Sequence, residues 1–274
     1  MCLPSTAAPV ETMDAPAVRL FESPDTAEPT AHLLSDGTYG VMLTPTGAGF
    51  SRWRDMAVTR RRPDATQNAP GSFLFLRDVV SGVQWSPAVQ PVADAAARQD
   101  AVFGEHLATY THHHRLLTAR AEIVVSSEDD AEARRVTLTN TGRVTRDVDV
   151  TSCAELVLAP AQADIAYPAF SKLFVVTDCL AELGVIIARC RRRSPGDPEV
   201  WAAHIAVVEG AETAPMQFET QRALHRARQQ PSQAGRRGRA ADRHRAESGL
   251  FHPAADQHSR RRRGPGHLQD AACR

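Results

Sequence analysis

The sequence predicts an all-β protein: a large antiparallel β-sandwich followed by an irregular C-terminal tail. Three observations carry this. Apolar and polar residues alternate with period two through the middle of the chain, turn dipeptides interrupt the alternation about every eight to twelve residues, and no segment sustains a helical period. The chain has 274 residues and is 42% hydrophobic, enough to fill one such core.

Residues 1–29 read as a flexible lead-in, because Pro4, Pro9, Pro16, Pro24 and Pro29 break any regular element. The sandwich is expected over 30–223. Asp36-Gly37 is a turn dipeptide ahead of a β-prone run from Thr38 to Thr44. Phe73 to Val80 is apolar and β-prone, and Ser81-Gly82 turns it back into Val83 to Trp85. Ala93 to Gln99 is the one place where a short helical turn is expected. Leu117 to Val125 alternates, with Leu117, Ala119, Ala121, Ile123 and Val125 on one face. Arg135 to Asn140 alternates likewise, Asn140 to Arg143 reads as a hairpin turn, and Thr145 to Thr151 as the returning strand. Further strands are expected at Phe170–Thr177, Gly184–Arg189 and Trp201–Val208.

The formal net charge is zero, but it is unevenly spread. From Arg222 to Arg274 there are thirteen Arg against four acids, a surplus of +9, so residues 1–221 carry −9. The same stretch has no Val, Ile, Met, Tyr or Trp. Such a segment buries too little apolar area to offset its backbone entropy, so 224–274 is expected to be a low-complexity, disordered or irregular tail. The abruptness of the change suggests a shift of reading frame near Ala223. The run Arg260 to Arg263 could contact nucleic acid through phosphates, but it lacks interleaved aromatics and any recognition fold, so no nucleic-acid partner is expected.

The five cysteines, Cys2, Cys153, Cys179, Cys190 and Cys273, are widely spaced without a CxxC pair. Neither a zinc site nor a disulfide framework is suggested, and reduced thiols in the cytoplasm are expected. No apolar run is long enough for a membrane helix, and the N-terminal stretch lacks the regions of a signal peptide.

Four segments carry a resemblance to a known family: His32 to Thr66, with Ser51-Arg52-Trp53-Arg54-Asp55 at its centre, Phe73 to Ser86, Glu128 to Val175, and Trp201 to Ala223. Together they resemble the N-terminal sandwich of glycoside hydrolase family 94, in the branch that includes cyclic β-1,2-glucan synthases, with cellobiose and chitobiose phosphorylases as relatives. Arg61 and Pro63 depart from the family pattern. The resemblance implies a supersandwich of galactose-mutarotase-like type. It also implies that the family's chemistry resides in an (α/α)6 barrel following the sandwich, which the residues after 223 cannot supply. The expected role is thus a carbohydrate-binding or accessory domain, inactive alone, of a glucan synthase or glycoside phosphorylase. Its parent enzymes work on glucans or oligosaccharides, with phosphate a partner only of the full enzyme. The resemblance implies that the parent glucan synthases are inner-membrane proteins. A free-standing carbohydrate-binding protein is one alternative, and nucleic-acid binding through the Arg-rich tail is the other.

The most site-like residues are Arg52, Trp53, Arg54 and Asp55, followed by Arg60 and Arg62. Arg offers a planar donor fork for phosphate or sugar hydroxyls, and Trp a flat face for a pyranose ring. On an alternating strand Arg52, Arg54 and Met56 share one side, Trp53 and Asp55 the other. The competing reading is an Arg–Asp pair bracing the sandwich, with Trp53 in the core. Lys172, the only lysine, lies in a segment that the resemblance puts against neighbouring domains. No catalytic residue, cofactor or metal is expected. His112-His113-His114 reads as a solvated strand end, since at most two of the three could meet one ion and no carboxylate is spaced to join them. Glu128-Asp129-Asp130 reads as an exposed turn rather than a glycosidic acid–base pair.

Overall fold

The computed structural model describes residues 18–22, 30–61, 71–94, 97–180, 183–209 and the backbone of 254–258. The expected all-β sandwich is what the chain forms. A sheet of seven strands runs in the order β1 (Arg19–Phe21), β8 (Arg98–Phe103), β9 (Ala108–His114), β10 (Leu117–Val125), β11 (Glu132–Asn140), β18 (Ala254–His258) and β17 (Val207–Glu209). Facing it is a sheet of five, β13 (Leu156–Pro160), β5 (Met56–Thr59), β4 (Gly49–Trp53), β3 (Tyr39–Leu43) and β2 (His32–Ser35). Two sheets of three complete the fold: β12 (Val148–Ala154), β6 (Ser72–Asp78) and β7 (Gln84–Trp85), then β14 (Val175–Leu180), β15 (Val185–Cys190) and β16 (Trp201–Ile205). The ladders are antiparallel except where β18 pairs parallel with β11 and β17. Within the expected lead-in, β1 is paired along β8. In the Arg-rich segment, the expectation of an irregular tail otherwise lies outside the described residues.

The core follows from the alternation. Leu117, Ala119, Ala121 and Ile123 of β10 point inward, as do Val136 and Leu138 of β11 and Phe103, Ala108 and Tyr110 of β8 and β9. They meet Val41, Leu43, Met56 and Val58 from the five-stranded sheet and Leu74, Leu76 and Trp85 from the β6 sheet. One contiguous cluster results, into which Ala188 and Val200 bring the β14–β16 sheet. Small residues on β10 opposite large ones let two pleated faces interdigitate. Gly71 (φ 131°) enters β6 so close to β4 that a Cβ on it would lie 2.0 Å from the Gly49 carbonyl oxygen. Only glycine fits that approach.

Four local expectations are corrected. Asn140 to Arg143 is no hairpin turn: β11 pairs with β10, whereas β12 crosses to pair with β6. The turn is nonetheless real, since Asn140 Oδ1 accepts the Gly142 N–H at 3.0 Å. Ala93 to Gln99 gives no helix among its described residues, and Arg98 and Gln99 already belong to β8. Phe170 begins no strand; Ala161–Ala166 (α1) and Pro168–Lys172 (α2) are two short helices, and the strand starts at Val175. Pro168 disfavours helical backbone at Tyr167, which ends α1 and caps α2. Finally, Arg54 and Asp55 form the β4–β5 turn, so the alternation breaks there, and Met56 pairs with Trp53 instead of sharing a face with Arg52.

Candidate functional site

The predicted site residues fall into two groups. Arg52, Trp53, Arg54 and Asp55 form the end of β4 and its turn. Arg52 and Asp55 are exposed and Trp53 is half-buried. Trp53 Nε1 donates to Asp130 Oδ2 at 2.6 Å, and Thr38 Oγ1 also donates to Asp130. Asp130 therefore belongs to a hydrogen-bonded corner, and it is exposed, like Glu128 and Asp129 beside it, as expected of the turn. The Arg54 guanidinium lies over the Trp53 ring, 4.7 Å from its centroid. A face that a sugar could stack on is thus covered by a cation, a contact of about 0.5–1 kcal/mol at an exposed site.

Arg60 and Lys172 form the second group, which the fold brings together from opposite ends of the sandwich sequence. Arg60 is buried at the end of β5. Its Nε and Nη2 donate to the two oxygens of Asp164 on α1, at 2.9 and 2.8 Å. Its Nη1 donates to Glu155 Oε1 at 2.6 Å, and Nη2 also donates to the Pro168 carbonyl at 3.1 Å. Lys172 Nζ lies 2.6 Å from the same Glu155 oxygen. Two cations face two carboxylates, so the network is charge-balanced. Four of the five Arg60 N–H donors are engaged, leaving little for a sugar or phosphate. This is the bracing reading: Arg60 fastens α1 and α2 to β5. Arg62 lies outside the described residues, as does Arg260–Arg263.

What Arg60 fastens is an apolar platform. Tyr167 is 71% exposed, Leu173 64% and Phe170 49%. Phe170 and Phe174 pack edge-to-face at 5.0 Å, with the Arg193 guanidinium 4.4 Å from the Phe174 centroid. Beneath the platform β13 carries a bulge, with a register shift between Leu156 and Ala159 and Leu158 at φ 50°. A bulge re-aims the strand, here toward the helices.

Sequence reasoning missed three sets of polar residues. Glu155, the hub of the Arg60 network, sits between two apolar strands with no motif around it. Glu132 and Arg134 alternate inward on β11 into the core, where Arg134 Nε donates to Glu132 Oε1 at 3.2 Å and Ser51 Oγ donates to Oε2 at 3.1 Å. Their period-two spacing was the available signal. Third, the expectation of a solvated histidine strand end holds for exposed His113 alone: His112 is fully buried, and Asp94 supplies the carboxylate that the sequence did not put nearby. Burial pulls His112 down to about 4, against the pull of Asp94, so its ring is neutral at pH 7. No disulfide joins the described cysteines Cys153, Cys179 and Cys190. No helix among the described residues is long and apolar enough to cross a membrane.

The sequence of this β-sandwich has known relatives. The family model for the glycosyl hydrolase 94 supersandwich domain matches residues 14–234. The chain belongs to that family. It is 41% identical over 207 residues to the cyclic beta-(1,2)-glucan synthase NdvB of Rhizobium meliloti (strain 1021), which covers 76% of this chain and 7% of NdvB. It is 28% identical over 146 residues to the N,N'-diacetylchitobiose phosphorylase of Vibrio proteolyticus, covering 52% of this chain and 18% of that enzyme. The corresponding phosphorylase of Vibrio furnissii is 25% identical over 146 residues. The supersandwich thus spans a small part of each relative's length.

Proposed function

We propose that this supersandwich is an accessory domain of a glucan synthase or glycoside phosphorylase, inactive alone, which docks on the catalytic part of such an enzyme through its α1–α2 platform. The observation that carries this is the buried Arg60–Asp164–Glu155 network, which holds Tyr167, Phe170 and Leu173 out toward solvent. Ordering two short helices only to expose large apolar side chains is costly unless something covers them. The relatives' names suggest glucans or other oligosaccharides as what the whole enzyme handles, with phosphate on the phosphorylase side, and widely spaced cysteines without a CxxC pair suit the cytoplasm.

A chimera tests the docking. The sandwich replaces its counterpart in the Rhizobium meliloti synthase, and glucan synthesis is assayed. Activity should survive in the chimera and fall when Tyr167, Phe170 and Leu173 are changed to Ser; an unaffected triple variant refutes the platform. The second reading, a stand-alone carbohydrate binder, is favoured by half-exposed Trp53 between Arg52 and Arg54. Calorimetric titration with β-1,2-gluco-oligosaccharides separates the two. Millimolar or tighter binding that is lost in Trp53→Ala supports the binder.

A further inference from the structure

We propose that Asp94, His112 and His114 form a binding site for a divalent transition-metal ion of the Zn2+ class, which ties the β7–β8 connection to β9. The inference is independent of the docking reading.

The strand supplies half of the site. Successive side chains on β9 alternate, so His112 and His114 share one face and His113 takes the other. The connection after β7 supplies the rest. Asp94 Oδ2 lies 2.9 Å from His114 Nδ1 and 3.8 Å from His112 Nε2. One ligand atom from each of the three lies within 4.8 Å of the others. Around a tetrahedral zinc with bonds of about 2.0–2.2 Å, neighbouring ligand atoms are about 3.3–3.6 Å apart, so shifts of roughly an ångström or less would close the set.

The surroundings suit a metal ligand set better than a chance ion pair. His112 is fully buried, and its Nε2 makes no hydrogen bond of good geometry, although the Ser86 backbone lies close enough to favour the charged ring. An unpartnered buried nitrogen is costly, and a metal would satisfy it. The other nitrogen, Nδ1, lies 2.6 Å from the Gln99 side-chain amide. The near atom is the amide nitrogen, Gln99 Nε2; flipping the amide would bring its oxygen there, so that Nδ1–H donates and Nε2 presents its lone pair to the ion, the usual support for a ligating histidine. Trp85 stacks on His114 at 5.1 Å and 10°, fixing that ring. Asp94 and His114 remain 23% and 21% exposed, so water can complete the coordination. Two imidazoles and one carboxylate in three-ligand array are a zinc-type donor set.

The test uses the full chain, stripped with a chelator and titrated with Co2+, then Zn2+. The expected result is one Co2+ per chain with the intense visible bands of low-coordinate cobalt, bleached by Zn2+. Asp94→Asn, His112→Gln and His114→Gln should each weaken uptake by about tenfold or more, while His113→Gln leaves it unchanged. Far-UV circular dichroism checks folding; should His112→Gln unfold, the partly exposed Asp94 and His114 variants decide alone. No cobalt bands in the wild type, or bands that persist in folded Asp94→Asn and His114→Gln (binding by histidines of the Arg-rich segment), overturn the proposal.

Discussion

Arg115 occupies the left-handed region, φ 55°, at the tip of the β9–β10 hairpin, where it is exposed. A non-glycine residue there costs about 1–2 kcal/mol, part of which glycine returns as unfolded-state entropy. Arg115→Gly should therefore stabilise the fold by roughly 0.5–1 kcal/mol, read as a higher urea midpoint at unchanged slope. Arg54 has nearly the same backbone angle, φ 54°, but stacks on Trp53, so Arg54→Gly should gain less. Asp78 is a residue of another kind. Burial pushes its carboxyl up, but the Ser81 backbone N–H and hydroxyl and the Arg146 guanidinium outweigh this and hold it below the usual value of 3.8. Its folded pKa is depressed, so its contribution is present above the unfolded value near 3.8 and lost as pH falls through the folded one. Asp78→Asn should cost about 1–3 kcal/mol at pH 7, a difference that narrows below pH 4 in chemical-denaturation curves. At this scale the sequence was informative about residue type and poor on partners. It marked Arg60, Lys172 and the histidine run, but Glu155 and Asp94 are isolated acids in the sequence, and the fold alone brings them in.

At the scale of elements, the Arg60 network makes the sharpest claim. Removing the cation takes the guanidinium from buried Asp164 and leaves Glu155 with Lys172. Arg60→Gln should cost about 3–5 kcal/mol and loosen α1 and α2, seen as faster amide exchange over 161–172. Lys172 is 43% exposed, and Lys172→Gln should cost less than about 1 kcal/mol. Strands buried on one face were legible: β10 alternates over Leu117–Val125 as read. Elements set by long-range pairing were not. β12 has the alternation of a hairpin arm, yet its partner is β6, because register along a sheet edge is chosen by the face that must be buried and not by nearness in sequence. The helices α1 and α2 total eleven residues on β-neutral sequence, below the length at which period can be recognised.

At the scale of the molecule, one core cluster joins all four sheets, so unfolding should be a single cooperative transition. The same wholeness isolates the surface that the core does not absorb. Tyr167, Phe170 and Leu173 stand together in solvent, and the isolated chain should self-associate as its concentration rises. Changing the three to Ser should lower the sedimentation coefficient toward that of the monomer without lowering the melting temperature.

The crossing of β12 to β6 also orders events in time. β8 to β11 are joined by short turns and close as local hairpins, whereas Val148 must find Asp78 across seventy residues of chain. Closing so long a loop is entropically unfavourable until a partner surface exists. The seven-stranded sheet's hairpins are then the nucleus, and β12 docks late. Trimming Ile123 to Val should slow refolding, while trimming Val150 to Ala should chiefly hasten unfolding. Until β12 arrives, an edge of β6 lies open, and in that interval the nascent chain is most exposed to pairing with a neighbour.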